Sequence, residues 1–163
     1  MKTATKPREI AGNKLWSDPE FLDEGNDGII YRIAHNLVAK SSLTASHEFK
    51  IMRALYEKGV SVPNPYGLHV VPRVYDRYNH QTTPPALVME YISGRTGFEL
   101  RLNPSAQKEA EELRDVELEI AREFGFIPGD VHFGNFILTS NEKIVLIDFA
   151  DWSHPTIPNL FFN

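Results

Sequence analysis

The spacing of apolar positions along the chain changes period several times, and each change marks an element. Between Phe21 and Leu43, Ile29, Tyr31 and Ile33 alternate with Ile30, Arg32 and Ala34, the two-residue period of strands. A glycine turn interrupts this stretch near its start, and His35-Asn36 makes a hairpin turn into Leu37-Val38-Ala39-Lys40. From Ser46 to Lys58 the period becomes helical: Phe49, Met52 and Leu55 form a stripe flanked by Ile51 and Tyr56. Ser46 is the predicted N-cap and Gly59 the stop. Pro63 and Pro65 then break the chain.

Val70–Tyr78 and Ala86–Ile92 are the next predicted strands, the second so apolar that it should be buried. Asn103-Pro104 has the cap-then-proline order of a helix start, and Gly125 ends that helix. Its expected buried face is Ala110, Leu113, Val116, Ile120 and Phe124. A final hairpin follows, Phe136–Leu138 and Ile144–Ile147 about a turn at Ser140-Asn141-Glu142. Residues 1–20 are polar and predict a loose entry. Strands, helix, strands, helix and hairpin make an α+β fold with two lobes, 1–94 and 95–163, joined near Gly94.

Composition narrows the function. With 42% apolar and 24% charged residues the chain is an ordinary globular protein. The net charge is −5 and no Lys/Arg-rich run occurs, which argues against nucleic-acid or anionic-membrane binding. The absence of cysteine removes disulfides, Cys-based zinc sites and thiol catalysis, and fits a reducing cytoplasm. No apolar run approaches the ~20 residues of a membrane span, and the first residues lack the apolar core of a secretory signal.

The chemistry concentrates in GDVHFGNFIL (129–138) and LIDFADW (146–152). Asp130, Asn135 and Asp148 are oxygen-bearing side chains on loops at strand ends, the ligand type that hard divalent cations take together with phosphate oxygens. His132 has no second His or Cys nearby and reads as a loop brace rather than a metal ligand.

In order and spacing these two segments resemble the catalytic loop D-x-x-x-x-N and the D-F-G triplet of the protein-kinase-like superfamily. The form with Gly129 before the Asp is most similar to aminoglycoside phosphotransferases, choline-kinase-like enzymes and small atypical protein kinases. The upstream half agrees, over about residues 21–152 in all. Glu24 to Tyr31 resembles the glycine-rich loop over ATP phosphates, with Gly25, Asn26 and Gly28 at its turn. Lys40, ending Leu-Val-Ala, resembles the phosphate-contacting lysine. Its implied ion-pair partner is Glu48, with Glu57 as the alternative; a solvated helix face is the competing reading of Glu48. LVMEYISG (87–94) resembles the hinge, which makes Met89 the gatekeeper and gives adenine the backbone of Glu90 and Ile92.

The resemblance implies ATP and Mg²⁺, with Mn²⁺ as an alternative ion. Asn135 and Asp148 would hold the metal, and Asp130 would align or deprotonate the acceptor hydroxyl. It departs in two places. Pro128 replaces the His that braces the loop, and the chain runs only fifteen residues past Asp148. So short a large lobe favours a protein Ser/Thr hydroxyl as acceptor over a small-molecule hydroxyl, which needs an enclosing pocket. A pseudokinase acting as a nucleotide-binding or scaffolding module is the reading from another class. Trp152, Phe161 and Phe162 are expected to cover bared apolar surface or to form a partner-binding patch. The expected location is the cytoplasm, or a host cell if the chain is a bacterial effector.

Overall fold

The computed structural model describes residues 9–25, 28–75, 85–131 and 133–159, with Phe133 described by its backbone alone. Asn26, His132, Phe161 and Phe162 therefore lie outside the described residues. The architecture is α+β, as the periodicity predicts. The elements are β1 (Glu9–Ile10), β2 (Asn13–Lys14), β3 (Glu20–Gly25), β4 (Gly28–Ala34), β5 (Leu37–Ser41) and α1 (Ala45–Glu57). Then come β6 (Pro65–His69), β7 (Ala86–Glu90), β8 (Arg95–Thr96), α2 (Gly97–Leu100) and α3 (Pro104–Glu123). A 3-10 turn (Phe133–Asn135) leads into β9 (Phe136–Leu138) and β10 (Ile144–Leu146). The chain divides into two compact units, Met1–Phe49 with Pro65–Tyr91 and Lys50–Asn64 with Ile92–Asn163.

The first unit is an antiparallel sheet in the order β3-β4-β5-β7-β6. Interior strands β5 and β7 are buried almost throughout, whereas edge strand β3 is exposed along its length. Ile10, Ile33, Leu37, Ala39, Val71, Val74 and Val88 belong to one apolar cluster. The strand expected at Val70–Tyr78 is displaced: β6 occupies Pro65–His69, and residues 70–75 form no strand. An edge strand tolerates proline at its first position, and Arg73, at φ +61°, cannot continue an extended chain. Val71 and Val74 bury instead from a turn closed by the Val74 N–H donating to the Val71 carbonyl at 3.3 Å.

Helix α1 begins at Ala45, a residue ahead of Ser46, so Ser46 sits exposed in the first turn rather than capping it. The Thr44 carbonyl accepts the Glu48 N–H at 2.9 Å, and Gly59 stops the chain at φ +80°.

In the second unit β8, β9 and β10 form an antiparallel sheet in the order β10-β9-β8. Helix α3 starts as predicted: Asn103 Oδ1 accepts the Ala106 N–H at 3.2 Å and Pro104 fills the first turn. Its buried face is the predicted one only in part: Ala110 is buried and Ile120 half-buried as expected. Ala110, Leu118 and Ala121 are buried, and Arg114 lies between them with its guanidinium 5.5 Å from the Phe136 ring centroid. Leu113, Val116 and Phe124 are 43%, 57% and 42% exposed. Helix α3 packs against β10. Ser61 ties in the connecting segment: its N–H donates to Glu117 at 3.0 Å and its carbonyl accepts the Leu146 N–H at 2.9 Å. No helix among the described residues is long and apolar enough to cross a membrane.

Candidate active site

Strand β5 carries Lys40 in the interior of the first sheet, opposite Ile30 of β4 and Leu87 of β7. Its side chain is buried, and its Nζ meets Glu48 Oε2 at 3.0 Å. Glu48, in the first turn of α1, is 1% exposed and receives a second hydrogen bond at Oε1 from the Thr44 hydroxyl, also at 3.0 Å. A carboxylate at a helix start also benefits from the helix dipole. Glu57 lies elsewhere, exposed and paired with Arg53 at 3.1 Å. The solvated-face reading of Glu48 therefore fails.

Gly25 and Gly28 face each other across the β3–β4 turn. A Cβ on Gly28 would stand 2.2 Å from the Ser41 carbonyl oxygen, and its φ of +153° suits glycine alone. The turn strands thus press against the end of the strand that bears Lys40. Met89 is buried on β7, and Glu90 pairs with Leu37 at the end of that strand. The Tyr91 N–H donates to the Asn36 carbonyl at 2.8 Å while the Arg32 guanidinium covers the Tyr91 ring at 4.0 Å. Ile92 is half-buried and opens the second unit's main segment.

In the second unit the Asn135 side-chain amide donates to the Asp130 carbonyl, and the Asn135 carbonyl accepts the Ile147 N–H at 3.0 Å. Asn135 thereby links the loop of Asp130 to the residue before Asp148. Both aspartates have positive φ, +49° at Asp130 and +66° at Asp148, an uncommon conformation that requires the surroundings to hold it. One Asp148 oxygen accepts the Ala150 N–H at 3.5 Å. Phe149 and Ala150 are fully buried, and Phe149 meets Trp152 edge-on with ring centroids 5.1 Å apart. Trp152 does cover apolar surface, as expected.

The backbone next to Pro128 is paired. Ile127 and Ser153 exchange both N–H···O bonds, at 2.8 and 3.1 Å. A Cβ on Gly129 would lie 2.2 Å from the Asp151 carbonyl oxygen, so the two motif segments touch backbone to backbone. His154 holds the same junction from behind. Its Nδ1 accepts the Thr156 N–H at 3.1 Å, so Nε2 carries the proton that goes to the Phe124 carbonyl at 3.0 Å. Asn159 donates to the Ala150 carbonyl at 2.8 Å. Neither His154 nor Asn159 stands out in the sequence; His154-Pro155-Thr156 gives only a turn signal. Gly129→Ala should lower stability by about 1–3 kcal/mol through overpacking, read from the urea midpoint. An unchanged midpoint would show that the Asp151 carbonyl moves aside freely.

Asn135 Oδ1 and the Asp148 carboxylate suit Mg²⁺, which takes oxygen ligands and commonly only one or two from protein. Among the described residues no group of three or more His, Cys, Asp or Glu could hold a metal by itself; an ion there would take waters or phosphate oxygens as its remaining ligands. A separate cavity of about 500 Å³ lies between the start of α3 and the β9–β10 turn, lined by Arg95, Glu109, Leu113 and Glu142 among others. None of the candidate site residues named above lines it.

A lysine on an interior strand salt-bridged to a buried helix glutamate, and an Asp–Asn loop hydrogen-bonded to Ile147 just before Asp148-Phe149, place the chain in the protein-kinase-like superfamily. Within it, residues 29–161 match the RIO domain, and the chain belongs to that family. The match starts after Gly28, at Ile29. The chain is similar to serine/threonine-protein kinase rio2 of Dictyostelium discoideum, 27% identical over 128 residues. That stretch is 78% of this chain and 22% of the relative, so the chain spans about a fifth of the relative's length.

Proposed function

We propose that the chain is an ATP-dependent phosphotransferase that moves the γ-phosphoryl group of ATP onto a protein Ser or Thr hydroxyl. The observation that carries this reading is the buried Lys40–Glu48 pair. Burying two charges is costly unless the pair has a use or excellent geometry, and a phosphate-orienting lysine is such a use. The relative's name, a serine/threonine-protein kinase, favours a protein acceptor over a small molecule.

In this reading the acceptor oxygen bonds to Pγ as the bond from Pγ to the β,γ-bridging oxygen breaks, and ADP leaves. The acceptor proton passes to the Asp130 carboxylate. Lys40, fixed by Glu48, orients the α- and β-phosphates, and the Gly25-Asn26 and Gly28 segment is the part of the chain assigned to contact them. The backbones of Glu90 and Ile92 hold adenine. Asn135 and Asp148 would hold Mg²⁺, which when bound neutralises charge on the phosphate oxygens.

Incubation with γ-labelled ATP and Mg²⁺, with and without cell lysate, tests this. Acid-stable label on Ser or Thr of a protein is expected. Label confined to a small molecule would replace the protein acceptor, and ATP binding with no transfer would make the chain a pseudokinase.

A further inference from the structure

We infer that Thr44, itself held by Ser42, is a positioning residue that keeps the Glu48 carboxylate on Lys40. The inference rests on the role proposed above for that lysine. Thr44 Oγ1 lies 3.0 Å from Glu48 Oε1, while Lys40 Nζ lies 3.0 Å from Glu48 Oε2. The Ser42 and Thr44 hydroxyl oxygens are 2.8 Å apart, and the Thr44 N–H donates to Ser42 Oγ at 3.0 Å.

Counting protons gives these bonds a direction. An ionised carboxylate only accepts, so the single Thr44 hydroxyl proton goes to Glu48. The bond between the two hydroxyls must then use the Ser42 proton, donated to Thr44 Oγ1. Ser42 Oγ is left to accept the Thr44 N–H, which closes a two-residue ring. Each proton has one destination, and the chain of donors ends on the catalytic ion pair.

Thr44 also accepts the Glu48 N–H through its carbonyl at 2.9 Å. One residue therefore anchors both the backbone and the side chain of Glu48. A glutamate side chain has several torsions to fix, and anchoring each oxygen separately removes the rotamers that would release Lys40. Glu48 is 1% exposed, so water has little access to replace a lost donor.

The test compares Thr44→Val, which keeps the branched shape without the hydroxyl, with Thr44→Ser, which keeps the hydroxyl. A hydrogen bond to a charged group corresponds to about ten-fold or more. Thr44→Val should lower kcat about ten-fold with KM for ATP changed far less, and Thr44→Ser should restore the wild-type rate. Wild-type kcat in Thr44→Val, or equal damage in Thr44→Ser, would overturn the inference. A urea-unfolding cycle with Glu48→Ala decides the contact without any activity. Thr44→Val should cut the folded-to-unfolded ratio about ten-fold in the wild-type background and hardly at all in Glu48→Ala; additive effects would overturn the inference. Absence of phosphoryl transfer in the wild type would refute the proposed function instead, leaving the cycle to judge the hold on Glu48.

Discussion

Lys40→Ala is expected to destabilise the protein by about 3–5 kcal/mol, the cost of leaving a buried partner charge uncompensated. It should also remove phosphoryl transfer. The buried partner is Glu48, 1% exposed, which would lose the ammonium at 3.0 Å. Removing both charges in Lys40→Ala/Glu48→Ala should cost less than the sum of the single changes, because the double variant strands neither charge. Urea unfolding of the four proteins measures this. A loss below about 1 kcal/mol for Lys40→Ala would be the value of an exposed pair and would mean that Glu48 lies in solvent.

The second large effect separates the two aspartates. Asp130→Asn should leave Mg-ATP binding nearly intact while transfer falls by about 10²–10⁴-fold, the usual worth of a positioned general base. Asp148→Asn should weaken Mg-ATP binding and abolish transfer together, since its carboxylate is assigned to the metal. An interaction made mainly in the transition state appears in the rate and not in ground-state binding. Ligand at ~100-fold its dissociation constant stabilises by ~2.7 kcal/mol, so thermal shifts with Mg-ATP can rank the variants before rates are measured. Equal loss of the shift in both would mean that the roles of the two aspartates are misassigned.

The parts legible in the sequence are those written in local chemistry. The Gly25–Gly28 turn, the Leu-Val-Ala-Lys40 strand, the Asn103-Pro104 helix start and the final hairpin each announce themselves within a few residues. The kinase-like order of Lys40, Asp130, Asn135 and Asp148 is legible for the same reason. What escaped depends on side-chain direction or on contacts distant in sequence. Ser42 and Thr44 look like ordinary loop hydroxyls until Glu48 turns back onto them. The pairing of Ser153 with Ile127, twenty-six residues earlier in the chain, leaves no local signal. On helix α3 hydropathy selects Leu113, Val116 and Phe124 together with Ala110, but of these only Ala110 is buried, beside Leu118 and Ala121. The strand placed too late, at Val70, reflects how strongly an apolar run draws a strand assignment when the edge position that admits Pro65 is not visible.

The most direct measurement is the rate of γ-phosphoryl transfer from labelled Mg-ATP to protein, with wild type and Asp130→Asn prepared and assayed side by side. Protein-borne label is expected with the wild type, and a rate at least about 100-fold lower with Asp130→Asn, at matched Mg-ATP binding. Equal rates in the two proteins, or no transfer by a wild type that is folded and saturated with Mg-ATP, would contradict the assignment of this chain as a phosphotransferase that works through Asp130.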